Sequence, residues 1–149
     1  MRTSAGEMEK EETEDRVLVI PCSGIGKVQG LLSREATYFV VDELAPDETD
    51  TLCLALLVKG DADAVEEVRT HRCIAIDGCS KACAQKNVEM AGGQVGKAIQ
   101  VASALRNYRG LQPGTGTALT KDGWAIARDI AKTVAAEAAC LREGKDGEQ

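Results

Sequence analysis

The sequence predicts a single α/β domain with a small, mostly parallel sheet and helices on both faces of that sheet. Short segments rich in Val and Ile alternate with longer segments of helical periodicity, and Gly, Pro and Asp separate them. Strands that alternate with helices form βαβ units, whose right-handed crossovers place helices on both faces. The length of 149 residues suits one hydrophobic core.

The first part of the chain predicts two strands and one long helix. Residues 16–20 read RVLVI, a β-branched run that predicts a buried strand, and Pro21 ends it. Apolar positions at helical spacing predict a helix from residue 27 to 44, and a polar loop follows at 45–50. The apolar run at 51–58 predicts the second strand.

The middle of the chain predicts two further strands with a helix before and after the first of them. Asp61 or Asp63 caps a short helix. The segment CIAID at 73–77 predicts the third strand, and the helix after it ends near Gly92. Residues 95–101 predict the fourth strand.

A final amphipathic helix follows a Gly-, Pro- and Thr-rich loop at 112–117. Its inner stripe consists of apolar residues at helical spacing, namely Trp124, Ala127, Ile130, Ala131, Val134, Ala138 and Leu141. Residues 1–15 and 142–149 lack apolar periodicity and are predicted to be disordered tails. The domain itself is therefore predicted to span residues 16–141.

The charge distribution argues against a nucleic-acid partner. The formal net charge is −6, but residues 1–15 alone carry a net −4, so the body of the chain is close to neutral. It offers no basic stripe to neutralise phosphates. Aromatic residues make up only 3% of the chain, which is few for stacking bases.

The sequence also argues against a membrane location. No apolar run approaches the roughly 20 residues that a spanning helix needs, and the acidic N-terminus is unlike a signal peptide. We therefore expect a cytoplasmic protein. In that reducing compartment six cysteines indicate metal binding or thiol chemistry rather than disulfide bonds.

Two cysteines follow two of the predicted strands. Cys22 comes after the first strand and Cys79 after the third. Functional sites of parallel α/β sheets lie beyond the carboxyl ends of the strands. Because both cysteines lie at that edge, the sequence predicts that they share one site.

Cys79 and Cys83 lie four residues apart in DGCSKAC, where a turn enters a helix. Side chains at positions i and i+4 of a helix are neighbours, with Cβ atoms about 5–6 Å apart. That spacing suits two thiolates on one zinc ion, whose Zn–S bonds are about 2.3 Å long. Cys22 and Cys53 complete a set of four ligands if Cys53 lies at the end of its strand.

The other candidate residues receive structural interpretations. Cys73 lies within the third strand and is interpreted as core packing, with a reserve role as a ligand, and Cys140 in the last helix is interpreted as structural. His71 is expected to be an exposed loop residue. Asp77 either caps the following helix or hydrogen-bonds a ligating sulfur. Trp124 is expected to pack in the core.

Three catalytic motifs nearly match the glycine-rich segment after the first strand, and each fails at one position. A phosphatase loop beginning at Cys22 requires arginine where Val28 stands. A phosphate-binding Walker A loop requires glycine at Pro21, and a dinucleotide-binding fingerprint requires glycine at Gln29. A plain tight turn is the simpler interpretation of this segment.

The segments PCSG at 21–24 and IDGC at 76–79, with Cys83 and the Ala-Gly at 91–92, together resemble the DGC-domain family. The resemblance covers roughly residues 16–100. Members of that family are described as zinc-binding because of four cysteines able to chelate a metal. The resemblance implies that the ligands here are Cys22, Cys53, Cys79 and Cys83.

The chain departs from the family pattern at two places. Ser80 stands where proline is frequent, which affects the stiffness of the turn. No glycine closely follows Cys53, so Cys73 is its substitute as the fourth ligand.

The leading hypothesis is a non-catalytic zinc protein, either a metal handler or a domain stabilised by zinc. Four thiolates saturate tetrahedral zinc and leave no open position for water. One alternative is a thiol redox enzyme or sensor that uses Cys79 and Cys83, and another is an iron–sulfur protein. The sequence leaves open whether the site is catalytic, as well as the protein partner and the oligomeric state.

Overall fold

The computed structural model describes residues 15–147. Its four strands are β1 (Val17–Pro21), β2 (Thr49–Asp50), β3 (Arg72–Asp77) and β4 (Gln94–Gln100). They form one sheet in the order β2-β1-β3-β4, and every neighbouring pair is parallel. The predicted single α/β domain with a parallel sheet is confirmed.

Six α-helices accompany the sheet in the described part of the chain. They are α1 (Val28–Phe39), α2 (Leu54–Lys59), α3 (Ala62–Thr70), α4 (Cys83–Met90), α5 (Val101–Ala104) and α6 (Lys121–Gly147). A π-helical turn (Val40–Leu44) extends α1, and a 3₁₀ turn (Leu105–Tyr108) extends α5. No helix within residues 15–147 combines the length and the apolar character that a membrane crossing requires.

Alternate side chains of β1 pack into two separate hydrophobic layers. Val17 and Val19 belong to the layer that contains buried residues of α1 and α6. Leu18 and Ile20 belong to the layer that contains buried residues of α2, α3 and α4. This is the period-2 alternation of a strand that is covered on both faces.

The second predicted strand is wrong. Of residues 49–59, only Thr49–Asp50 form a strand, and Leu54–Lys59 form α2. A short apolar run does not distinguish strand from helix by itself. Here Leu and Ala favour the helix, and a single turn buries Leu57 while Leu56 and Val58 remain exposed.

The inner stripe of the last helix is confirmed except at its first residue. Ala127, Ile130, Ala131, Val134 and Ala138 are buried in the core. The interpretation of Trp124 as a core residue is wrong, because its side chain is 42% exposed. It lies in the first turn of α6 and packs edge-on against Phe39.

The predicted tail at 1–15 lies outside the described residues except for Asp15, whereas only 148–149 of the predicted tail at 142–149 lie outside them. Where the sequence places a disordered tail at 142–149, α6 continues to Gly147. Arg142 on this extension donates a hydrogen bond of 2.7 Å to the Asp15 carboxylate and lies 3.5 Å from Glu48. These contacts hold the end of α6 against the start of β1.

Candidate functional site

The strand order places a topological switch point between the carboxyl ends of β1 and β3. The chain leaves β1 for β2 on one side and then returns to β3 on the other side. In open parallel sheets, the point where the connections diverge in this way is where ligands bind. Cys22 directly follows β1, and Gly78 directly follows β3.

The Cys22 sulfur is held between β3 and α1. The backbone N–H of Cys22 donates to the Ile76 carbonyl at 2.9 Å, and the backbone N–H of Gly78 donates to Cys22 Sγ at 3.2 Å. Ser33 Oγ lies 3.6 Å from the same sulfur and accepts a hydrogen bond from the Ser23 N–H at 3.2 Å. An N–H donor aimed at the sulfur stabilises negative charge on it.

Two glycines let these segments approach backbone to backbone. A Cβ on Gly30 of α1 would lie 2.0 Å from the carbonyl oxygen of Gly24, inside the loop that carries Cys22. A Cβ on Gly78 would lie 3.1 Å from Gly30 N and 3.1 Å from Gln29 Cβ. Gly30 and Ser33 are not among the site residues that the sequence predicts. For Gly30, the signal in the sequence is a glycine within a predicted helix, which often indicates a close packing contact.

A cavity of about 530 Å³ opens beside the Cys22 loop. Cys22, Cys53 and Arg34 all contribute to its lining. Cys53 is the exposed N-cap residue of α2. The structure thus brings Cys22 and Cys53 to a common cavity, although Cys53 lies at the start of a helix rather than at the end of a strand.

Cys79 and Cys83 do not share a helical turn. Cys79 is half-buried in the turn after β3, whereas Cys83 is the exposed first residue of α4. Ala82 between them has a left-handed φ of 55°, which interrupts the helical path. The expectation of i, i+4 neighbours on one helix is wrong, because α4 begins only at Cys83.

Strained backbone flanks two of the cysteines. Among the described residues, Ser23 (φ 53°) and Ala82 (φ 55°) are the non-glycine residues with positive φ. Ser23 directly follows Cys22, and Ala82 directly precedes Cys83. Such conformations cost about 1–3 kcal/mol each and concentrate at functional sites.

The donor type suits zinc, but the described arrangement does not gather the donors. Between residues 15 and 147, no group of three or more His, Cys, Asp or Glu side chains lies close enough together to hold a metal ion. The ligand set of Cys22, Cys53, Cys79 and Cys83 therefore stays a prediction.

Asp77 caps α4, which is one of the two roles that the sequence left open for it. The residue is 4% exposed. One oxygen accepts the Ala84 N–H at 2.7 Å and the other accepts the Gln85 N–H at 3.0 Å. These bonds satisfy backbone donors that the first turn of a helix leaves unpaired.

Cys73 is a core residue, as predicted. Its side chain is fully buried, and its thiol lies 3.6 Å from the His71 carbonyl and 3.8 Å from the Val68 carbonyl. Burial raises the pKa of the Cys73 thiol to about 12. A metal ligand must be a thiolate, so this residue is a poor substitute for Cys53. Cys140 is exposed on α6.

The expectation that His71 is exposed is wrong, because the residue is 8% exposed. It follows α3 directly, where its Nδ1 lies 2.8 Å from the Glu67 carbonyl and 3.0 Å from Thr70 Oγ1. Histidines at helix C-termini commonly bond the last carbonyls in this way.

These features define a small α/β domain with a parallel sheet and cysteine-bearing loops at the carboxyl edge of that sheet. The family model for the DGC domain matches residues 18–115, which is more than half of the chain. The chain belongs to the DGC domain family. No curated protein and no solved structure matches it.

The burial of Cys73 predicts a pH dependence of stability. The pKa of its thiol is raised from 9.0 to about 12 in the folded protein, so the unfolded chain loses this proton first as the pH rises. The stabilisation is complete below pH 9 and is lost progressively between pH 9 and 12. We expect the free energy of unfolding to fall more steeply above pH 9 in the wild type than in Cys73→Ala.

Urea unfolding at pH 8, 9 and 10, read by circular dichroism, measures this difference. Cys140→Ala, at an exposed position, serves as the control and should follow the wild-type curve. Parallel curves for the wild type and Cys73→Ala would contradict the assignment.

Proposed function

We propose that this domain binds one zinc ion through the thiolates of Cys22, Cys53, Cys79 and Cys83. The observation that carries the proposal is the position of Cys22, which lies next to the segments that contain Cys53 and Cys79. It lines a cavity together with Cys53, and it accepts a hydrogen bond from Gly78, the residue before Cys79.

The chemistry of four thiolates supports a non-catalytic role. Thiolate ligands suit zinc, and four of them leave no coordination position for water or substrate. Among the described residues, no three possible metal ligands lie close enough together to bind one ion. Zinc binding therefore requires the 79–83 segment to move toward Cys22 and Cys53. Part of the binding free energy would then order these loops.

The test is a zinc titration of the reduced, metal-free full chain in competition with a chromophoric chelator. We expect one equivalent of zinc to bind tightly and to raise the thermal midpoint, because zinc binds the folded state in preference. Each of the variants Cys22→Ser, Cys53→Ser, Cys79→Ser and Cys83→Ser should weaken binding by about 10-fold or more, since each removes one of the four ligands.

Cys140→Ser is the matched control, because Cys140 is exposed on α6. It should bind zinc as the wild type does. Wild-type protein that takes up no zinc under reducing conditions would contradict the proposal. Unchanged binding by Cys53→Ser alone would remove that residue from the ligand set. Visible absorption of the purified protein would instead indicate an iron–sulfur cluster.

A thiol-based reaction is the second candidate function, and the surroundings of Cys22 favour it. The Gly78 N–H donates to Cys22 Sγ at 3.2 Å, and the Arg34 side chain lines the adjoining cavity. The N–H donor stabilises negative charge on the sulfur, and the thiolate is the form that attacks electrophiles and disulfides. In this case the Cys22 thiolate attacks a disulfide in a substrate, which forms a mixed disulfide and releases one substrate thiol. Cys79 or Cys83 then attacks the mixed disulfide, which releases the second substrate thiol and leaves a disulfide with Cys22.

Alkylation with iodoacetamide, followed by peptide mass spectrometry, separates the two functions. Under the thiol reading, metal-free protein reacts fastest at Cys22, and oxidised protein contains a disulfide between two of the three cysteines. Under the zinc reading, one equivalent of zinc protects all four cysteines together.

A further inference from the structure

A pocket of about 360 Å³ lies beside the C-terminal end of α1 and the first turn of α6. The chain contains four aromatic residues, and three of them line this pocket, namely Tyr38, Phe39 and Trp124. Trp124 is 42% exposed and Tyr38 is 46% exposed, so neither ring is hidden in the core. A chain that is this poor in aromatic residues therefore concentrates them around one opening at its surface.

Three acidic residues line the pocket with the rings, namely Glu35, Asp42 and Glu43. The Glu35 carboxylate also lies 4.0 Å from Arg34 Nε. Glu35, Tyr38, Phe39 and Asp42 follow the i, i+3, i+4, i+7 spacing of one helix face. Glu43 joins the same wall where the chain forms the π-helical turn Val40–Leu44. Insertions of this kind in helices are frequent at functional sites.

The geometry of the rings suits a cation. Phe39 and Trp124 pack edge to face, with an interplanar angle of 80° and centroids 6.0 Å apart, and both line the pocket together with Tyr38. The guanidinium of Arg128 already lies 4.3 Å from the Phe39 centroid and 3.8 Å from the Glu43 carboxylate. One cation of the protein itself thus occupies part of this aromatic and acidic surface.

We propose that the pocket binds a small organic cation with a quaternary ammonium group. A planar guanidinium stacks on one ring face, as Arg128 does on Phe39. A tetrahedral, methylated nitrogen instead contacts several rings at once, and three rings line this pocket. It has no N–H to satisfy, so the carboxylates attract it through charge alone. A primary ammonium is more strongly hydrated, and an open pocket does not replace its water.

The test is a titration of the full chain with choline chloride and with tetramethylammonium chloride. Trp124 is the single tryptophan, so its fluorescence reports directly on the pocket. We expect a saturable change with both salts and none with sodium chloride at equal ionic strength. The neutral carbon analogue of choline, 3,3-dimethylbutan-1-ol, should bind about 10-fold more weakly, because it lacks the charge that the rings and carboxylates attract.

Two variants locate the binding site. Asp42→Asn removes one charge from an exposed position, and Tyr38→Leu removes one ring that is already half-exposed. Each should raise the dissociation constant about 3- to 10-fold. Asp63→Asn, the same change at an exposed position of α3, is the matched control and should bind as the wild type does.

Three outcomes would overturn the proposal. The first is the absence of saturation up to about 100 mM choline, both in fluorescence and in the NMR shift of the Trp124 indole N–H. The second is binding of the neutral analogue as tight as that of choline. The third is an equal effect of Asp42→Asn and Asp63→Asn on the dissociation constant of choline. Each can be measured on metal-free and on zinc-treated protein, so the result does not depend on the zinc proposal.

Discussion

Replacing Gly30 with alanine is expected to destabilise the domain by about 3 kcal/mol, although alanine is the better helix former. The new methyl group would lie 2.0 Å from the Gly24 carbonyl oxygen and 2.6 Å from the Gly24 nitrogen. Both contacts are with backbone, so no side chain can rotate away. The loop of residues 22–27 has to move, and the Cys22 sulfur moves with it.

Gly144→Ala is the matched control for this change. Gly144 also lies in a helix, but a Cβ there meets nothing within 4 Å. Helix propensity alone should make this variant up to about 1 kcal/mol more stable than the wild type. Urea denaturation measures both variants. If Gly30→Ala is stabilised as Gly144→Ala is, the close contact between the loop and α1 does not exist.

Replacing Asp77 with alanine is expected to lower the free energy of unfolding by about 3 kcal/mol. The carboxylate is buried and accepts the N–H groups of both Ala84 and Gln85. Its removal leaves two donors at the start of α4 without a partner, and it also removes a negative charge from a helix N-terminus. Asp77→Asn should lose about half as much, because the amide keeps one acceptor oxygen.

Asp61→Ala provides the comparison for this prediction. Asp61 caps α3 with a single hydrogen bond to the Ala64 N–H, so its loss should be near 1 kcal/mol. Chemical denaturation of the three variants gives the order. A smaller loss for Asp77→Ala than for Asp61→Ala would contradict the role of Asp77 as a buried double cap.

The sequence predicts the two central strands well because they are short, apolar and bounded by turn residues. The β1 and β3 segments are such runs, and each is followed by a turn. The strand β2 could not be predicted, because its two residues contribute no hydrophobic pattern. The following run of Leu and Ala fits a strand and a helix equally well until the burial of Leu57 shows which periodicity applies.

The predicted site depends on contacts between segments that are distant in sequence. The position of Cys22 beside β3 follows from the strand order, in which β1 and β3 are neighbours. The alternation of strands and helices predicts a parallel sheet with both cysteines at one edge, but it does not give the order of the strands. The close approach of Gly24 to Gly30 is a tertiary contact. A glycine within a helix does not indicate which segment packs against it. The spacing of the residues likewise does not reveal the left-handed conformation of Ala82. The sequence therefore predicts that the helix already includes Cys79, whereas α4 begins at Cys83.

The pocket lined by Tyr38, Phe39 and Trp124 could not be predicted, because the sequence indicates that Trp124 is a core residue. Trp124 fits the apolar stripe of α6 by spacing, and a large aromatic side chain is usually buried. Its position in the first turn instead brings it beside Phe39 at the end of α1. Only the structure brings the two helix ends together.

X-ray absorption at the zinc edge, recorded on the full chain loaded with one equivalent of zinc, tests the central claim most directly. The proposed site predicts a first shell of four sulfur atoms at about 2.3 Å. A first shell that contains nitrogen or oxygen at about 2.0–2.1 Å would contradict the assignment of Cys22, Cys53, Cys79 and Cys83 as the ligands.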